Sequence, residues 1–310
     1  MKTISIVDYL YTMSISRQNL SAVIVTFKSE GVIHKCIESI NNKIDIIIID
    51  NSNDRAFKEE IEKKYTNVKC YLSEKNLGMG AGNNLGLKYV KTNYALILNP
   101  DIILEKLCID EMLLALKKIS SFAILAPLSS HEDYPNYQLI DNQNVNTKKI
   151  NKAFKVKSVD GFAMLLNIEK IKILIDEDNF TFFDENFFMY LENDDLCKRI
   201  IDKGENIYIL PTAKIKHLGG KAVSEIYNQE VELSRNWHWI WSKFYFNKKH
   251  HSFLSAIIKG LPTFFSSIFK YLFYFTINNN FKKKIYFNRA SGFFNALVNN
   301  SSWYRPKIKD

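Results

Sequence analysis

The sequence predicts an α/β fold: an open, mostly parallel sheet flanked by helices, followed by a helical appendage that is basic and aromatic. Three observations carry this reading. Residues 21–27 (SAVIVTF) and 44–50 (IDIIIID) are short, almost wholly apolar runs rich in β-branched side chains. Strands of that kind are buried on both faces, as in a parallel sheet covered by helices. Strand-like and helix-like segments then alternate through about residue 125, the pattern of a βα series. Charge divides the chain: twelve basic residues and one acid, Asp310, fall between Lys243 and the C-terminus, whereas residues 1–242 hold 30 basic and 32 acidic ones.

The elements follow in order. After the first run, Ile33, Ile37 and Ile40 have helical spacing. A helix is expected near residues 57–65, a strand over 68–72, a helix near 81–90, a strand over 94–98, a helix over 105–119 and a strand over 122–126. Residues 129–152 are polar and rich in Asn and Asp, which predicts a mobile loop. Residues 156–167 read as strand with Gly161 at a tight place, 192–203 as helix, 206–210 and 214–217 as short strands, and 223–246 as a long helix with three tryptophans. The expected domains are an N-terminal extension (1–20), a catalytic α/β domain (21–242) and the tail (243–310).

Composition narrows the class. With 310 residues, 46% of them hydrophobic and 24% charged, the chain is neither disordered, collagen-like nor a disulfide miniprotein. Cys36, Cys70, Cys108 and Cys197 are widely spaced and form no CxxC pair, as expected of free thiols in a reducing compartment. The first twenty residues lack the long apolar stretch of a signal peptide, and no apolar run reaches the ~20 residues of a spanning helix. Residues 253–277 (FLSAIIKGLPTFFSSIFKYLFYFTI), followed by Lys282, Lys283 and Lys284, suit a helix lying in a membrane interface. A plain helical subdomain with solvated lysines is the other reading. Positive charge interleaved with an apolar tail argues against nucleic acid as a partner.

Open α/β sheets bind ligands at the carboxyl ends of their strands. The polar residues there are Thr26, Asp50 with Asn51, and the run Asn99-Pro100-Asp101. A carboxylate at Asp50 can accept hydrogen bonds from a base or ribose, or cap the next turn. The stretch from Asn76 to Gly86 (NLGMGAGNNLG) is rich in small residues that let backbone approach a ligand, but it lacks the third glycine of a dinucleotide fingerprint. Asp101 is placed to ligate a divalent cation on a diphosphate, although Asn-Pro-Asp is also a good turn. In residues 183–199 (FDENFFMYLENDDLCKR), Glu192 and Asp195 share a helix face, and neighbouring acids raise one another's pKa toward the range of a base. The same acids also fit an N-capped helix with an Asp195–Arg199 ion pair. His217, before Gly219 and Gly220, can reach a metal or diphosphate.

Together, in this order and spacing, these segments resemble the family 2 inverting glycosyltransferases of GT-A fold, in their rhamnosyltransferase-like branch. The likeness runs from Ala22 to about Ser224 and rests on the opening strand, Asp50, NLGMGAGNN, LNPD, VDGFAMLL, FDENFFMYLENDDLCKR and HLGG. It implies that Thr26 and Asp50 contact the nucleotide of a sugar donor, and that Asn76, Gly78 and Asn83 line the nucleotide-sugar site. It implies that Asn99 and Asp101 stand at the metal-binding DxD position, and that Asp160 and Gly161 border the sugar and acceptor. The acid cluster would hold the base, and His217 would help to hold Mg²⁺ or Mn²⁺ or the diphosphate. One departure stands out. The family usually has a second acid where this chain has Asn193, so Glu192 is the expected base, with Asp194 and Asp195 as substitutes. The implied reaction moves a sugar from a UDP- or dTDP-donor, dTDP-rhamnose among the candidates, to a glycan or lipid-linked glycan. The expected location is the cytoplasmic face of the plasma membrane, with the tail against lipid or against a second copy of the chain. The rival readings are a sugar-phosphate nucleotidyltransferase, which residues 26–31 suit poorly for want of glycines, and a degenerate glycosyltransferase serving as a membrane scaffold.

Overall fold

The computed structural model describes residues 19–40, 44–119, 121–131, 135–140, 150–174 and 181–308. The expected N-terminal extension lies almost wholly outside the described residues, as do parts of the expected loop at 129–152. Four strands, β1 (Leu20–Thr26), β2 (Asp45–Asp50), β3 (Val68–Leu72) and β4 (Tyr94–Leu98), form a parallel set in the order β3-β2-β1-β4. The helices between them are α1 (Glu30–Ile40), α2 (Arg55–Lys64) and α3 (Met79–Leu87). Side chains alternate between two apolar layers. Ala22, Ile24, Ile46, Ile48, Leu96 and Leu98 face one layer. Val23, Val25, Ile47, Ile49 and Ile97 face the other. Burial on both faces is why β1, β2 and β4 are apolar along almost their whole length, whereas β3, at the sheet edge, carries the exposed Lys69.

The sheet continues with mixed direction. Strand β5 (Ile102–Leu104) precedes helix α4 (Cys108–Lys118); β6 (Ile124–Ser129), β7 (Tyr137–Gln138), β8 (Phe154–Val156), β9 (Ser158–Val159) and β10 (Ala163–Asn167) follow. Short helix α5 (Ile168–Leu174), helix α6 (Glu192–Asp202) and strand β11 (Ile207–His217) complete the body. Among the described residues the sheet runs β3-β2-β1-β4-β10-β6-β11-β5, with β8 also on β11. Strand β10 is antiparallel to both β4 and β6, and β11 is parallel to β6. This is the open, mostly parallel sheet flanked by helices that the resemblance implied.

Two local expectations change. The two strands expected at 206–210 and 214–217 are one strand, β11, whose register shifts between Leu210 and Lys214. Pro211 lies in that gap and cannot donate to the ladder. The single strand expected over 156–167 is broken into β8, β9 and β10, because the chain turns at Asp160-Gly161 toward the site described below. The glycines of α3 have a packing role: a Cβ at Gly86 would lie 2.4 Å from Val23 Cγ1, and one at Gly82 would lie 2.8 Å from Val25 Cγ1. Glycine there brings the helix directly onto β1.

Three further helices follow: α7 (Asn228–His250), α8 (Phe253–Thr276) and α9 (Asn280–Leu297). They share a third apolar cluster that includes Trp237, Trp241, Phe244, Ala256 and Phe293. Helix α7 belongs to both parts of the molecule. Its Lys249 and His250 bond Asp195 of α6, and its Tyr245 hydroxyl donates to Asp184 at 3.0 Å. Lys243, where the basic tail begins, therefore sits inside a helix whose C-terminal part is bonded to the sheet domain. Among the described residues no helix is long and apolar enough to cross a membrane.

Candidate active site

The carboxyl ends of β1 and β4, the turn at 160–161 and the start of α6 open onto one cavity of ≈ 900 Å³, a volume typical of small-molecule sites. Thr26, Asn76, Gly78, Asn99, Asp101, Asp160, Gly161, Glu192, Asp194 and His217 all line it. Thirteen residues were expected at the site; ten are brought together here.

The β1 and β2 ends are tied to one another and to the glycine stretch. Thr26 Oγ1 donates to Asp50 Oδ1 at 3.0 Å, and the Asp54 N–H donates to Asp50 Oδ2 at 2.9 Å. Asp50 is buried behind Thr26 and is absent from the lining. Its neighbour Asn51 does line the cavity and donates to the Gly78 carbonyl at 3.1 Å. Gly78 has φ 82°, and a Cβ there would lie 2.1 Å from the Phe188 carbonyl oxygen. That carbonyl instead accepts from the Met79 N–H at 3.0 Å. Asn83, expected to line the nucleotide-sugar site, is buried inside α3 and does not reach the cavity. The glycines that bring α3 onto β1 direct its side chain into the protein.

Across β4, the backbone of Asn99 is fixed by an N–H bond to the Phe162 carbonyl at 2.8 Å. Strands β11 and β5 pair antiparallel with His217 opposite Ile102, which brings the imidazole beside the preceding residue, Asp101. His217 Nε2 lies 3.4 Å from Asp101 Oδ2. Asp101 Oδ1 and Asn99 Oδ1 are both buried without a hydrogen-bond partner among the described residues. A buried carboxylate oxygen left unpaired is costly, and a hard cation is the partner its chemistry suits. No group of three or more His, Cys, Asp or Glu able to hold a metal is found among the described residues. The donor types of Asp101, Asn99 and His217, with two buried oxygens unpaired, fit part of the coordination shell of a hard cation.

The acid cluster lies at the N-terminus of α6. Two consecutive residues, Tyr190 and Leu191, hold left-handed backbone angles of φ 71° and 68°, a strained arrangement for such side chains. It delivers Glu192 to the cavity wall. Burial pushes the Glu192 carboxyl up to about 7, and the Asp194 charge adds to the rise. Its Oε2 has no partner among the described residues. Asp160 is pushed up to about 6, first by lost solvation, then by Asp194, with His217 opposing. Asp194 is also raised by burial, against hydrogen bonds from Ser158 and Asn193. The Asn193 amide donates to the Val159 carbonyl at 2.9 Å, so it fastens α6 to β9.

Asp195, expected as a substitute base, faces away from the cavity. It is fully buried and bonds Arg199 Nε at 2.9 Å, Lys249 Nζ at 2.7 Å and His250 Nε2 at 2.7 Å. Its work is structural, joining α6 to α7. Residues that sequence reasoning missed include Tyr190, Arg235 and Trp239, which also line the cavity. Arg235 and Trp239 come from α7, and the sequence gives no spacing signal for which face of that helix meets the sheet domain.

The fold and this strand-end site are those of an α/β enzyme acting on a bound small molecule. Residues 21–183, more than half of the chain, match the family described as glycosyl transferase family 2, and the chain belongs to that family. It is similar to the low-salt glycan biosynthesis hexosyltransferase Agl10 of Haloferax volcanii, 25% identical over 232 residues covering 70% of this chain and 69% of that one. It is also similar to the rhamnosyltransferase WbbL of Escherichia coli K12, 27% identical over 223 residues covering 63% and 81%. Among solved structures, S. aureus TarS (residues 1–349) superposes with a TM-score of 0.48 at 15% identity, covering 93% of each chain.

Proposed function

We propose that this glycosyltransferase moves a hexose, with rhamnose a leading candidate, from a UDP- or dTDP-sugar to a glycan or lipid-linked glycan, inverting the anomeric centre. The observation that supports this best is the shared cavity: Asp101 and Glu192, each with one buried carboxylate oxygen lacking a hydrogen-bond partner among the described residues, both line it. The names of the two relatives, a hexosyltransferase and a rhamnosyltransferase, fit the same reading.

The acceptor hydroxyl loses its proton to Glu192 as its oxygen bonds the anomeric carbon. The bond from that carbon to the donor's phosphate oxygen breaks, and its electron pair leaves with the nucleoside diphosphate. A carboxylate held near pH 7 is well matched to accept such a proton. Asp194 and Asp160 keep the local potential negative, which favours proton uptake. Thr26, Asn51 and the Asn76–Gly78 turn hold the nucleotide end, and Asp160 and Gly161 border the sugar. Asp101, Asn99 and His217 would hold Mg²⁺ or Mn²⁺, which supplies Lewis-acid stabilisation of the diphosphate when bound. Glu192 supplies an acid at the cluster even though its neighbour is Asn193, so the scaffold reading gains nothing from that asparagine.

The reading includes a membrane surface on the cytoplasmic side, with a lipid-linked acceptor; the basic, aromatic tail supports it. Phe265, Phe269 and Leu272 of α8 are exposed on one helical face, and Lys282 and Lys283 of α9 lie over Tyr274 and Phe275 of the same helix. A screen of UDP- and dTDP-sugars for nucleoside diphosphate release, with membrane lipid extract as acceptor and Mg²⁺ or Mn²⁺ present, tests the proposal. Release with one donor and an inverted anomeric signal in the product is expected. Silence across the panel, or pyrophosphate release from a nucleoside triphosphate, would reject it.

A further inference from the structure

A second cavity, of ≈ 350 Å³, lies between α7, α8, α9 and the C-terminal segment. Lys283 and Lys284 of α9 and Lys307 of the C-terminal segment line it, with aromatic walls from Tyr271 and Phe287. Glu230 is the one acid on the lining, and its carboxylate accepts the Lys307 backbone N–H at 3.1 Å. No carboxylate pairs with the ammonium groups of Lys283, Lys284 or Lys307 among the described residues. Lys282, Lys283 and Lys284 also sit near the start of α9, whose first turn carries no acid. Positive charge there opposes the helix dipole. The arrangement is unfavourable by itself and is relieved by an anion.

The pocket opens beside exposed aromatic rings. Lys283 Nζ lies 5.3 Å from the ring centre of Phe275, which is 61% exposed, and Phe287 on the rim is 58% exposed. On α8, Phe265 and Phe269 are 63% and 72% exposed. Such a concentration of exposed aromatic rings marks an interaction surface, and lysines beside it match the headgroup level of an anionic bilayer.

We propose that this pocket seats the phosphate headgroup of an anionic phospholipid while the α8 rings enter the acyl boundary. The inference rests on the membrane placement proposed above and adds a defined headgroup site. It also fixes an orientation. The first turns of α7 and the segment around Tyr304–Lys307 form the wall between the two cavities. Glu230, Leu233, Tyr304 and Lys307 line the lipid side, and Val231, Ser234 and Pro306 line the active-site side. A lipid seated here holds the active site next to the bilayer surface, where a lipid-linked acceptor presents its glycan.

The test is flotation of the full chain with vesicles of phosphatidylcholine, with and without phosphatidylglycerol. The wild-type chain should float only with the anionic vesicles. The Lys283→Gln/Lys284→Gln/Lys307→Gln variant should lose roughly 100-fold in affinity, from about 1 kcal/mol per lysine. A charge-matched control on the sheet domain, Lys63→Gln/Lys88→Gln/Lys155→Gln, should change less than about twofold, since those exposed lysines are not part of the tail pocket. Matching melting curves would show that both variants fold. Equal losses in the two variants would mean diffuse attraction and overturn the headgroup site while leaving membrane binding intact. Absence of wild-type flotation would overturn both. A lipid-free dimer in sedimentation that the tail variant dissociates would assign the pocket to a second copy of the chain and reject the proposal.

Discussion

His217 Nε2 stands 3.4 Å from Asp101 Oδ2, and strand register puts it there: β11 and β5 pair antiparallel with His217 opposite Ile102. Two residues 116 positions apart in the chain thus form one donor set with Asp101 Oδ1 left unpaired.

Asp101→Asn keeps the volume and removes the charge. Donor turnover should fall roughly 10²–10³-fold, the worth of several kcal/mol of transition-state charge stabilisation. Titrating nucleoside diphosphate release against Mn²⁺ checks this. His217→Ala should shift the metal concentration needed and leave the plateau less affected. An Asp101→Asn enzyme with wild-type metal response would remove Asp101 from the site.

With Glu192 as the proposed base, its ionisation sets the expected acidic limb of the rate profile. A base with a pKa of about 7 is ionised above that value and protonated below it. Turnover should therefore fall as pH drops through about 7. Glu192→Gln should lower kcat by about 10²–10⁴-fold and flatten that limb. A Glu192→Gln variant that retains the limb would move the base to Asp160 or Asp194.

The same residue limits stability. Its folded pKa, about 7, is above its ordinary 4.5. Its contribution therefore favours the fold below about pH 4.5 and is lost as pH rises through about 7. Ionising it in place costs on the order of 3 kcal/mol. Glu192→Gln should raise the melting temperature of the metal-free chain at pH 8 and leave it nearly unchanged at pH 4.5. Equal shifts at both pH values would contradict the buried, unpaired placement.

Much of this site is legible in the residues. Strands β3 and β4 fall where apolar runs place them, and β1 and β2 within a residue, because both-face burial leaves a continuous apolar signature. Ten of the thirteen expected site residues share the cavity because strand ends and the α6 start are topological positions that sequence marks. Asp50, Asn83 and Asp195 show the limit. Each lies in a correctly placed segment, yet Asp50 is taken by Thr26 and Asp195 by Lys249 and His250, and Asn83 is buried within α3 away from the cavity. Arg235 and Trp239 were invisible for the converse reason. Only the docking of α7 decides which of its faces meets the cavity.

Asp195→Asn should destabilise the chain by about 3–5 kcal/mol, because it leaves Lys249 and His250 beside an uncharged buried partner. Chemical denaturation at neutral pH measures it. A near-neutral effect would mean that the α6–α7 ion cluster contributes little.

Gly78→Ala should destabilise by more than ~3 kcal/mol, combining a left-handed backbone with a Cβ pressed on the Phe188 carbonyl. Gly31→Ala in the first turn of α1 meets nothing within 4 Å and should stabilise by about 0.5–1 kcal/mol. Thermal melts of the two variants give the comparison, and similar melts would refute the proposed close approach at Gly78.

The most direct test of the central claim is single-turnover donor cleavage in the wild type, Asp101→Asn and Glu192→Gln, each with Mn²⁺ and with chelator, with and without acceptor. The account predicts that acceptor-dependent transfer needs Mn²⁺, Asp101 and Glu192 together, whereas acceptor-free hydrolysis needs Mn²⁺ and Asp101 and is less sensitive to Glu192. Transfer that persists at the wild-type rate in either variant would contradict it.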